Sequence, residues 1–175
     1  MAPAYPLPDQ PARRRLGNMR RRRNPNAAVD ALELPGAVFK TCPWRPREVV
    51  AEGLRQWLRC AGEALRDGQV IGMPSHAVDE AWHGLILCTG RYAAFCDEAY
   101  GRFLHHYPEG GEPNGAHVDP VEQQLARTVV AWTRVARPGE ACVLWNLDVV
   151  VGAEPAWGIP AERVAAVEAH VRGAS

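Results

Sequence analysis

Four of the six histidines fall at positions 76, 83, 105 and 106, and an aspartate, Asp79, stands between the first two. Imidazole nitrogen and carboxylate oxygen together form a donor set suited to a divalent ion such as zinc or iron. The separations His76–Asp79 and Asp79–His83 are three and four residues. On an α-helix those steps bring the three side chains to one face. His105 and His106 would join from the end of a following helix, and only one of the two can face inward, because adjacent residues point different ways. Antiparallel packing of the two helices returns that end toward the start of the first, nearer to His76 than to His83. An ion held there would activate a water or polarise a substrate oxygen, with Glu80 or Asp97 as proton carriers. A structural reading stays open beside it. In that reading His83 is a buried histidine bonded to Asp79, and His105 and His106 sit at a helix C-terminus, where the dipole favours imidazolium. Asp79 then acts as a packing pin, and in the metal reading it could equally orient a ligating histidine.

The elements that must position these groups are helical. Pro46 opens a pattern in which Val50, Leu54, Trp57, Leu58, Ala61 and Leu65 recur at three- and four-residue steps. Ser75 is a candidate N-cap for a helix over 75–88, with Val78, Trp82, Leu85 and Ile86 inward. A further helical run places Tyr92, Cys96 and Phe103 at packing positions, so Trp82, Tyr92, Cys96 and Phe103 are expected to be structural. Asp119 and Pro120 mark another helix start, with Leu125, Val129 and Trp132 on its apolar face. Pro160 begins a last helix. The stretch 141–151 is short and apolar and fits a helix or a strand. The fold class expected is all-α: a compact bundle of about five or six helices over 36–175, preceded by a disordered, basic, Arg/Pro-rich tail over 1–35.

Composition limits the alternatives. The net formal charge is zero, yet residues 1–23 carry seven arginines against one acid. A basic arm on an acidic body suggests contact with nucleic acid or another polyanion through Arg13–Arg23, with a solvated leader as the plainer reading. No apolar run is long enough to cross a membrane, and no arginine cluster is followed by an apolar signal segment. The five cysteines are odd in number and form no C-x-x-C pair, which disfavours a disulfide framework or a zinc ribbon and suits reduced thiols in a cytoplasmic protein. Phosphate-binding glycine loops and a G-x-S-x-G elbow are both missing from the sequence.

The segments "VDEAWH" (78–83), "ILCTGRYAAFC" (86–96) and "GRFLHH" (101–106), with "LWNLDVVVG" (144–152) as a weaker fourth, resemble the glycine-rich domain-containing-protein-like family. Position 85 is Leu where members of that family often carry a second histidine. The resemblance implies a compact helical domain around Trp82 and His83, in a bacterial single-domain member. It brings no settled activity or cofactor. The expectation is a binding or accessory domain with a protein partner rather than an enzyme. The alternative is a metal-dependent enzyme built on His76, Asp79, His83 and His105 or His106.

Overall fold

The computed structural model describes residues 25–107 and 119–173. Among them are seven α-helices and no strand, an all-α fold: α1 (Pro25–Asp30), α2 (Arg47–Arg66), α3 (His76–Leu87), α4 (Thr89–Tyr100), α5 (Val121–Val135), α6 (Leu147–Val151) and α7 (Ala161–Gly173). A 3-10 turn, Gly36–Phe39, lies between the first two. The Arg13–Arg23 arm falls outside the described residues. Between residues 25 and 35, α1 buries Val29 and the turn after it buries Leu32.

Helix α2 is the axis of the molecule. Pro46 stands just before its first turn with its φ already set near the helical value, Glu48 follows in that turn, and Arg66 lies in the last, so both ends suit the helix dipole. Val50, Leu54, Trp57 and Leu58 are buried, and α1, α3, α4, α5 and α6 pack around them. Each such aliphatic or aromatic side chain contributes about 1.5–3 kcal/mol when taken from water. Most polar groups buried on α2 are answered, the Arg59 Nε being the exception. Gln56 donates to the Ala141 carbonyl at 3.0 Å and accepts from the Val143 amide at 2.9 Å, which fixes the loop before α6. The Arg59 guanidinium is 1% exposed, is paired with Glu140 and lies 5.6 Å from the Trp132 ring centroid. The segment left open between helix and strand turns at Leu144–Asn146 and then forms the short α6. A smaller apolar cluster of Val129, Ile159 and Val164 docks α7 on α5.

Two features set the geometry of α3. Gly84 lies against the backbone of Val38, and a Cβ there would fall 2.8 Å from that carbonyl carbon. Only glycine lets the helix approach so closely. At the other end, Ser75 accepts from the Val78 amide at 3.2 Å, as an N-cap should. The fully buried carboxylate of Asp148 on α6 accepts from Ser75 Oγ (2.6 Å), the His76 amide (2.8 Å) and the Ala77 amide (3.1 Å). The same carboxylate accepts from the Trp157 amide at 2.8 Å, so one anion joins the start of α3 to the loop after α6.

Helix α4 ends sooner than its apolar spacing suggests. Gly101 takes a left-handed conformation (φ 69°), and its amide donates to the carbonyls of Cys96 and Asp97, both at 3.1 Å. The chain therefore leaves the helix at Tyr100, and Phe103, Leu104, His105 and His106 follow in an irregular segment rather than in the helix expected there. Of the expected structural residues, Trp82, Tyr92 and Cys96 are buried. Phe103 is 43% exposed, with its ring packed edge-on to Tyr92 at 5.2 Å.

Candidate metal centre

The expected ligand set divides in three. Asp79 and His83 stand one turn apart on α3, and the segment after α4 brings His106 to them. The Nε2 atoms of His83 and His106 are 3.0 Å apart. Asp79 places one oxygen 3.5 Å from His83 Nδ1 and the other 3.7 Å from His106 Nε2. One donor atom from each of the three lies within 4.8 Å of the others. Two zinc–nitrogen bonds of about 2.0–2.1 Å at a tetrahedral angle would hold their nitrogens about 3.3 Å apart. The imidazole pair is already near that separation.

His76 is not part of the cluster. Its ring lies between Trp44 and Trp157, at 4.9 and 5.0 Å between centroids, and its Nδ1 is 3.3 Å from the Pro155 carbonyl. The seven-residue step to His83 rises about 10 Å along the axis, so a shared helix face did not bring a shared site. His105 points away as well. It is exposed and packs between Phe103 (4.9 Å) and Tyr107 (5.9 Å). Because 105 and 106 follow one another in irregular chain, their side chains diverge. The expected meeting of the histidine pair with His76 is therefore corrected to a meeting of His106 with His83.

The position of His106 is enforced from below. Tyr92 is fully buried; its hydroxyl accepts from Trp82 Nε1 at 3.1 Å and donates to the Leu104 carbonyl at 2.7 Å. That bridge ties the returning segment to α3 and α4 two residues before His106, whose ring then packs 4.7 Å from Trp82. Burial holds the His106 imidazole pKa below its ordinary value, and the charge of His83 works the same way, while Asp79 opposes both. A neutral imidazole is the form that ligates metal.

The cluster borders a pocket of about 400 Å³. Trp57, Ile71, Trp82 and Leu104 form its apolar walls, and Asp79 and His106 face into it. Neither Glu80 nor Asp97, the expected proton carriers, is among the lining residues. Sequence reasoning also missed the Asp148 cap; the residue lies in an apolar stretch far along the chain, and only its burial reveals its role.

A protein-family model described as UCP032817-like matches residues 37–116. The matched span holds Asp79, His83 and His106 together. It also holds the three stronger segments behind the resemblance to the glycine-rich domain-containing-protein-like family, and the match overturns that resemblance. Short blocks of aromatic and small residues at helical spacing reflect packing that many helical families share. No curated protein and no solved structure matches the chain. No helix among the described residues is long and apolar enough to cross a membrane.

Proposed function

We propose that the protein binds one divalent transition metal ion, zinc or iron, through Asp79, His83 and His106, and that the ion serves a small ligand held in the adjoining pocket. The observation that carries this reading is the approach of the two Nε2 atoms to 3.0 Å with a carboxylate beside them. Two imidazoles and one carboxylate leave coordination positions open, as catalytic zinc and non-haem iron sites do. The ion would supply Lewis acidity or a water activated near neutral pH. The protein's own groups orient it: Asp79 also reaches His83 Nδ1, so the carboxylate can fix that ring while its other oxygen faces the ion. The apolar walls exclude water around a bound ligand, which strengthens electrostatic interactions there.

The test is elemental analysis of untagged protein equilibrated with zinc or ferrous iron and then desalted. One ion per chain is expected for the wild type, and little or none for the His83→Ala/His106→Ala double variant. Metal content that is negligible in the wild type, or equal in both proteins, would contradict the reading.

A further inference from the structure

Resting on that metal reading, we infer that the pocket takes a small monocarboxylate with an apolar tail, its carboxylate shared between the ion and Arg102. Asp79 and His106 face the pocket, whereas His83 is not among its lining residues, so open coordination positions of an ion held by the three would point into the cavity. Asp79 is the single acid among the described lining residues, and ligation would consume its charge. Arg102 is exposed at the same pocket and has no carboxylate partner among the described residues. An ion and a guanidinium at one cavity make a receptor for an anion, and guanidinium suits a carboxylate's two oxygens. The remaining surface is mostly apolar, with Gln69, His105, Tyr107 and Gln124 as its other polar groups. Trp57, Ile71, Met73, Trp82, Phe103 and Leu104 line it, and about 400 Å³ holds a small molecule and not a polymer.

The experiment titrates octanoate, and octanol as its uncharged control, into zinc-loaded protein of verified metal content, read by isothermal titration calorimetry. Octanoate is expected to bind about tenfold tighter than octanol or better, since charge-assisted hydrogen bonds contribute about 1.5–3 kcal/mol. Arg102→Gln is expected to remove most of that preference without changing zinc content, and chelation of the zinc to weaken octanoate more than octanol. Equal affinity for acid and alcohol, no binding of either, or a preference unchanged in Arg102→Gln would overturn the inference while the metal reading stands. Failure to load zinc at all would overturn both, and the metal determination made beforehand separates the two cases.

Discussion

The Tyr92 hydroxyl donates to the Leu104 carbonyl at 2.7 Å and so anchors the segment that delivers His106. It also receives the Trp82 indole N–H, so one buried oxygen serves two partners. Tyr92→Phe keeps the ring and removes the bridge, leaving a buried donor and acceptor unpaired. A loss of about 1–3 kcal/mol is expected by urea denaturation. Zinc affinity should fall as well, because His106 loses its anchor. Unchanged stability in this variant would show that the bridge does not hold the segment.

Asp148 makes a second expectation. Its carboxylate receives Ser75 Oγ and the amides of His76, Ala77 and Trp157. Asp148→Ala strands buried donors at the start of α3 and should cost about 3 kcal/mol or more. Asp148→Asn retains one acceptor oxygen and should cost less. Equal losses in chemical denaturation would mean that packing, and not hydrogen bonding, explains the residue.

Gly84 tests the close approach of α3. Gly84→Ala forces a Cβ against the rigid backbone at Val38. Neither backbone can yield without shifting a packed helix, so a loss of about 1–3 kcal/mol or more is expected from thermal or urea unfolding. A neutral outcome would show that the contact between α3 and the 3-10 turn is soft.

The pair Arg59–Glu140 gives a pH dependence of known sign. The hydrogen bond from Arg59 is the main cause holding the Glu140 pKa below its ordinary value. The folded state therefore favours the ionised carboxylate. Its contribution is fully present above the ordinary glutamate range and is lost as pH falls through the depressed folded value. Glu140→Gln leaves the buried Arg59 charge only the more distant Glu52, at 3.9 Å, and should cost about 3 kcal/mol at neutral pH. The gap between wild type and variant should close as the medium is acidified below the ordinary glutamate range. A gap that stays constant with pH would contradict the assignment.

Much of this was legible in the sequence, for reasons that differ residue by residue. Apolar spacing marks α2 and α3 because each buries one face, and Ser75 caps α3 because a hydroxyl there meets a free amide. The i,i+4 step between Asp79 and His83 is local and needs no knowledge of tertiary structure. His106 could be named but not placed. Its position depends on Gly101 ending α4 and on the Tyr92 bridge, and both turn the chain by contacts that periodicity does not encode. His76 was assigned to the site by helix phase alone, and the two tryptophans that hold its ring, Trp44 and Trp157, come from distant parts of the chain. The Asp148 cap was hidden for the same reason, since it lies 73 residues from Ser75.

The most direct measurement is anomalous diffraction at the zinc edge from crystals grown with zinc. The expected result is one peak about 2.0–2.1 Å from Nε2 of His83 and of His106, with an Asp79 oxygen in the same shell at about 2.0–2.2 Å. Density between these three side chains that lacks an anomalous signal, with zinc bound only elsewhere or not at all, would contradict the account.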